Sequence, residues 1–388
     1  MPAWPGGPPT PSPPPGLGIV GWGDNSYGQL GDGTKTSRWT PRAVSLFPVD
    51  VLSTSGPRAL SISQRQAWAW GDNRMGELGI GSAQESLTPV CIPWAGQAIS
   101  IFSGYIFSTA VTADGAVWSW GDHVSNPYVL GQGPNPPVSP GPVPLAGLTG
   151  FIAVDGGGYF GLALRGDGTV WAWGANDRGQ LGQGVPGQSS GGWNPPEPHP
   201  VQIQGLDQVV AISGGSMHTL ALKLDGSVWA WGGNYRGQLG QPGGDWGTPR
   251  PVPGLPGPAN AVAGGCESSV ALMPDGSVYA WGNPQGSTPV RVQGLPPAVA
   301  IEAGTVGANI NAGTIVAAVT HDETVWTWEV GGSAPTQAPG VVGAHSAHVR
   351  DLRERRRIGP SARTGARGGR PALGGGIDPR SLRAVGGP

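Results

Sequence analysis

Charge is scarce in this 388-residue chain: Asp, Glu, Lys and Arg make up 12% of it, and the formal net charge is −2. Cysteine occurs twice, at Cys91 and Cys266, far apart in the chain. Such a pair argues against a disulfide framework and for two small buried hydrophobes. No Cys/His cluster has zinc-ligand spacing, and no P-loop, nucleophile elbow or paired carboxylates occur. The sequence therefore offers no catalytic constellation, no cofactor site and no metal site, and we expect a non-enzymatic protein. No apolar run approaches the ~18 residues a membrane span requires. Met1 to Gly16 contains eight prolines and no apolar stretch, unlike a signal peptide. The expectation is a soluble, cytoplasmic, monomeric protein, with secretion as the alternative should a signal peptide precede Met1.

Glycine (71), proline (42) and tryptophan (17) are abundant instead. A tryptophan-glycine pair recurs at Trp22-Gly23, Trp70-Gly71, Trp120-Gly121, Trp173-Gly174, Trp231-Gly232 and Trp281-Gly282, with a worn copy at Trp328-Glu329. The tryptophans are spaced by 48, 50, 53, 58, 50 and 47 residues. A period near 50 signals one supersecondary unit repeated seven times. In the clearest copy, Val209–Ile212 and His218–Leu222 read as strands, and Asp225-Gly226 as a tight hairpin turn. Val228–Trp231 returns as a third strand with both tryptophans on one side. Gly237-Gln238-Leu239-Gly240 is a glycine-framed loop, and a variable stretch leads to a fourth strand near Pro251-Val252. Gly28–Gly31 and Gly179–Gly182 repeat the loop, Gly76–Gly79 varies it with Glu77, and Asp114, Asp167 and Asp275 repeat the turn. A four-stranded unit of this size cannot bury its own apolar face, and radial stacking solves that. The predicted fold is all-β, a seven-bladed β-propeller of four-stranded blades whose ring is closed by N- and C-terminal strands. Twelve of the 17 tryptophans lie in the repeated strands and are expected in its core.

From residue 17 to residue 330 these elements resemble the repeats of the regulator of chromosome condensation family. The resemblance implies a seven-bladed propeller, and for function it implies guanine-nucleotide exchange on a small GTPase. In that family exchange depends on face loops and inserted elements that have no residue-by-residue match here, so no catalytic residue is carried over. A secreted beta-lactamase inhibitory propeller has related but shorter repeats without the Gly-Gln-Leu-Gly loop. Its likeness implies a third reading, a protein inhibitor of a secreted enzyme.

Three regions follow: a proline-rich disordered extension at 1–16, the propeller at 17–352, and an Arg/Gly/Pro-rich disordered tail at 353–388. Residues 1–349 hold 12 basic against 21 acidic side chains, whereas 350–388 hold 10 arginines against 3 acids. Nucleic-acid binding is therefore not expected except through the tail. The first repeat begins at its return strand, Ile19–Trp22, without a hairpin partner. Val341–Val349 resembles a degraded repeat start and is predicted to pair with it.

Several attractive residues have plainer readings. Gly156–Gly161 fits Gly-x-Gly-x-x-Gly, yet a strand follows it where a dinucleotide site needs a helix. His218 heads a repeated strand and reads as structural. His345 and His348 make too small a set for a metal. Alternating strands place the Gly-Gln-Leu-Gly loops and their extensions on one face and the Asp-Gly turns on the other. Trp39, Trp193 and Trp246 fall in those extensions, and Tyr27, Arg74, Arg178, Tyr235 and Arg236 just precede the loops. Aromatics and arginine carry binding energy at protein interfaces, and loops on rigid scaffolds carry function. These eight are the predicted partner-binding residues, on a propeller that presents its loop face to a protein.

Overall fold

The computed structural model describes residues 19–45, 49–55, 57–94, 96–122, 126–136, 141–184, 195–283, 285–305, 313–332, 334–339, 341, 344–352 and 380–386. Residues 1–16 and Trp193 thus lie outside the described residues. The described strands form four-stranded antiparallel sheets, seven in number, arranged as an all-β propeller.

Blade 4 shows the plan. Val209–Gly214 is innermost, followed by His218–Lys223, Val228–Gly232 and the outer strand Trp246–Pro251. The same in-to-out order recurs at 51–91, 98–144, 151–202, 261–291 and 298–337, here blades 1, 2, 3, 5 and 6. Each inner strand packs on the next blade, and the inner strand of the terminal blade, Ala344–Leu352, touches blades 6 and 1.

That terminal blade corrects the sequence reading. Ala344–Leu352 does not pair with Ile19–Gly23, because Arg380–Gly386 lies between them. Ile19 faces Val385, and Gly23 faces Ser381. A four-stranded blade whose third and outer strands are Ile19–Gly23 and Arg38–Ser45 needs two more strands on its inner side, and 344–352 supplies only the innermost. The reading of all of 353–388 as disordered accordingly fails for Arg380–Gly386.

The core sits between blades, as expected for sheets that cannot cover their own faces. Phe102, Phe107 and Leu130 of blade 2 pack with Phe151, Val154 and Trp173 of blade 3, and Phe160, Leu162 and Leu164 of blade 3 pack with Val209 and Trp231 of blade 4. Trp70, Trp120, Trp173, Trp231 and Trp281 are all fully buried. Each indole also reaches back one blade with its N–H. Trp70 donates to the carbonyl of Gln29, Trp120 to Glu77, Trp173 to Val129, Trp231 to Gln180 and Trp281 to Gln238, at 2.8–3.0 Å. The tryptophan and loop signatures of the sequence are therefore two halves of one inter-blade contact. The closing glycine of the loop completes it: Gly182 has φ +68, and a Cβ there would lie 2.9 Å from the Trp231 indole nitrogen. Cys91 and Cys266 lie in blades 1 and 5, and neither is in a disulfide among the described residues.

The hairpin turns follow the sequence closely. Asp225 accepts hydrogen bonds from the Ser227 backbone N–H at 2.9 Å and hydroxyl at 2.6 Å, and Asp167 and Asp275 do the same with Thr169 and Ser277. The next residue is left-handed, a glycine in blades 2 to 5 but Glu323 (φ 58) in blade 6. A side chain there is strained, so Glu323→Gly should stabilise the fold by about 0.5–1 kcal/mol and raise Tm by about 1–3 °C. A lower melting temperature for that variant would refute the strain.

Candidate interaction face

The loops between third and outer strands share one face with the turns between inner and second strands. In the loops of the terminal blade and of blades 1, 3 and 4 an asparagine organises the backbone. Asn234 accepts from the Leu239 N–H at 3.0 Å and donates to the Gln241 and Gly243 carbonyls, and Asn25 and Asn73 repeat the arrangement. The residues ahead of the loop glycine are thereby held outward on a fixed frame.

Those residues meet across blade boundaries by a simple rule. The side chain one position before the loop glycine reaches the one two positions before it in the next blade. Arg74 lies over the Tyr27 ring at 5.2 Å, and Arg178 over the Tyr235 ring at 5.9 Å. Arg236 covers Tyr235 as well, at 5.7 Å, so that phenol stands between two guanidinium groups. Beneath each cation is a carboxylate. Arg74 makes paired hydrogen bonds to buried Asp72, Arg178 pairs with half-buried Asp245 at 3.4 Å, and Arg236 with buried Glu267 at 3.5 Å. The Tyr235 hydroxyl donates to Glu267 at 2.6 Å. Partial burial, and then that carboxylate, hold its phenol well above the ordinary range, so it stays protonated. The exposed partner of each pair is the cation.

The eight expected residues do not form one site. Tyr27 and Arg74 sit where the terminal blade meets blade 1, whereas Arg178, Tyr235 and Arg236 span blades 3 to 5, with blades 2 and 6 in between. Trp39 lies in the outer strand of the terminal blade and is 45% exposed. Trp246 departs from expectation. It is only 6% exposed and packs with Leu239, Val252 and Trp281, under Arg250. It opens the outer strand opposite Gly232, and its ring turns inward to the gap between blades 4 and 5. Trp94, which follows the outer strand of blade 1, packs edge-on against Trp118 at 5.7 Å. Sequence reading also missed Tyr105 and Tyr159, whose rings lie 5.6 Å apart at the inner turns of blades 2 and 3. Tyr159 immediately precedes its blade's second strand and Tyr105 lies two residues before its own, and only their place after Gly158 and Gly104 could have pointed to them.

His218 proves structural. It is wholly buried, with its Nε2 2.9 Å from the Ser269 hydroxyl. Ser269 gives its own proton to the Gln238 carbonyl, so Nε2 carries the imidazole hydrogen and Nδ1 is left without a partner. Burial lowers its pKa from 6.5 to about 3. The neutral ring is the folded form, so its contribution is complete above pH 6.5 and is lost as pH falls towards 3. The slope is about 1.4 kcal/mol per pH unit for one such group. Phe107 and Phe160 hold the same position in blades 2 and 3, and His218→Phe should remove this sensitivity. The turn aspartates, held below their ordinary range by Ser/Thr hydroxyls, act only at more acidic pH. Melting curves between pH 4.5 and 6.5 check this, and an equal pH slope in both proteins would refute it.

The chain is thus an all-β propeller of four-stranded blades with guanidinium-tyrosine pairs displayed on one face. Models of the regulator of chromosome condensation (RCC1) repeat match residues 19–56, 66–111, 167–222 and 225–272, and a second such model matches 151–180 and 209–238. Together they cover just over half of the chain, which belongs to the RCC1 repeat family. Human E3 ubiquitin-protein ligase HERC2 is 32% identical over 235 residues, 57% of this chain and 5% of the relative. The mitochondrial RCC1 domain-containing protein RUG3 of Arabidopsis thaliana is 30% identical over 231 residues, 56% of this chain and 50% of the relative. The chain thus spans half or less of the length of these curated relatives. Among solved structures, Prp20p from Saccharomyces cerevisiae superposes with a TM-score of 0.74 at 20% identity, over 96% of this chain and 92% of that one. Human WBSCR16 gives 0.72 at 16% identity, over 96% and 99%. At such identities the structural likeness establishes the fold.

Proposed function

We propose that the chain is a non-enzymatic, protein-binding propeller of seven blades, its ring closed by strands from both chain ends, acting as a cytoplasmic monomer. The observation that carries the reading is the Arg178–Tyr235–Arg236 group. Its cations and ring are exposed while their carboxylate partners lie beneath, held by loops whose backbone is pinned to the neighbouring blade. Trp39 and the Tyr27–Arg74 pair extend the contact surface on the other side of the ring.

Affinity capture from the source organism's lysate tests it. Tyr235→Ala and Trp39→Ala should each weaken capture of the partner by about 1–3 kcal/mol, the range of interface hot spots, with little change in melting. Normal capture combined with early melting would make both packing residues. A second reading, exchange of guanine nucleotide on a small GTPase, is supported by the likeness to Prp20p, a protein whose solved structure is described together with its binding to Gsp1p and histones. Capture of a GTPase whose nucleotide release the chain accelerates would favour that reading over a passive scaffold. The third reading, inhibition of a secreted enzyme, would require a secreted enzyme in the captured fraction.

A further inference from the structure

The opposite face, where the Asp-Gly turns lie, displays apolar side chains that neither the fold nor the loop face uses. In blades 2, 3, 4 and 6 the inner strand begins with the same irregularity. The ladder skips one residue between Ala98 and Ser100, Phe151 and Ala153, Val209 and Ala211, and Ala298 and Ala300. The skipped residue is a β-bulge, unpaired and turned out of the sheet. In blades 3, 4 and 6 it is Ile152, Val210 and Val299, exposed by 50%, 47% and 46%. Blade 2 contributes half-buried Ile99, and Leu224, 74% exposed, stands at the turn beside Val210 in blade 4. Blades 1 and 5 lack the skip, and in blade 5 the exposed residue at that place is Asn260.

These knobs form a series because the turns stitch them together. A Cβ at Gly168 would meet Gln208 and the Val209 backbone, one at Gly226 would meet Pro258 and Ala259, and one at Gly276 would meet Pro297 and Ala298. Each of these aspartate turns therefore abuts the start of the next blade's inner strand, so carboxylates and the aliphatic bulges of blades 3, 4 and 6 lie side by side along the rim. Asp114, Asp167, Asp225, Asp275 and Asp322 are all exposed. Their hydroxyl partners keep them ionised at any physiological pH. The cations nearby are Arg65, Arg165, Lys223 and Arg291; Arg165 pairs with the turn residue Asp167 and Lys223 with Asp207, and the charge of Arg291 acts on Asp275.

We propose that this rim is a second docking surface, and that it takes a basic amphipathic segment of a partner protein. The partner's apolar side chains would seat against Ile152, Val210, Leu224 and Val299 while its lysines or arginines meet the turn aspartates. Exposed apolar patches rimmed by charge mark interaction sites, and the sign of the rim selects the partner. This surface is independent of the loop face, and either could fail without the other.

The test uses the full chain and a fluorescent Leu/Lys peptide patterned as an amphipathic helix. Controls are a scrambled Leu/Lys peptide of the same composition and a Leu/Glu peptide of the same pattern. Anisotropy should show the patterned Leu/Lys peptide binding at least about tenfold more tightly than either control. The combined Ile152→Lys and Val210→Lys variant should lose about tenfold in affinity with unchanged melting, whereas Trp39→Ala should bind normally. If that variant melts early, Leu224→Lys at the open turn serves in its place, with the same expected loss. Equal binding of the patterned and scrambled peptides, or wild-type affinity in the lysine variants, would overturn the proposal. So would a wild-type dimer in sedimentation that the lysine variants abolish, since the occupant would then be a second copy.

Discussion

Trp173→Ala should cost about 3–5 kcal/mol of stability, the range for truncating a buried tryptophan. Two losses combine. The ring fills the space between Phe107, Leu130 and Val154 in the gap between blades 2 and 3, and burying an aromatic of this size removes about 150–250 Å² from water. Its N–H also satisfies the Val129 carbonyl at 3.0 Å, and without it that buried acceptor is left to find water in a dry gap. Chemical denaturation of the variant checks the magnitude. Trp39→Ala is the control, because that side chain is nearly half exposed. Comparable destabilisation by both would show that burial does not set the cost.

A chain ending at Leu352 should lose cooperative folding, or most of the roughly 5–15 kcal/mol that holds a domain together. Arg380–Gly386 is an interior strand of the terminal blade, bonded to Ile19–Gly23 on one side and Ala344–Leu352 on the other. Removing it breaks both ladders at once and leaves two unpaired edges facing each other. The sequence reading makes the contrary prediction, because it pairs Val341–Val349 directly with Ile19–Trp22 and treats everything after 352 as dispensable. Circular dichroism melts of the full and shortened chains separate the two. A shortened chain that melts within about 2 °C of the parent would mean that 344–352 closes the ring alone.

The contrast shows what kind of information the sequence carries. Trp231 and Gly179–Gly182 were legible because their contact recurs in blade after blade, and repetition turns a contact into a pattern. The same holds for Asp225 and its fellows, whose turn chemistry is local. Arg380–Gly386 gave no such signal. Arg-Ser-Leu-Arg-Ala-Val-Gly has two isolated aliphatics, and its strand state rests on a gap between distant segments. Trp246 misled because it lies in a stretch of variable length. Such a stretch looks like free loop until the strand opposite Gly232 is seen to begin with it. Arg178 and Tyr235, more than fifty residues apart, meet only through ring geometry. The exposed bulges could not be read, since Val209 and Val210 are both valine and nothing in the residue types says which one leaves the ladder.

The backward reach of each indole makes the ring directional. Trp231 belongs to blade 4, but the carbonyl it holds is that of Gln180 in the loop of blade 3, two residues after Arg178. Damage to one blade should therefore be felt as slackness in the loop of the blade before it. A lesion that loosens the Arg178–Tyr235 contact can thus map to a tryptophan in the neighbouring blade, far from any surface. Extensions beyond each loop are free to change length, because the anchor closes before they begin. Variation in such a ring can accumulate at the loop-bearing rim while the circular frame stays in register.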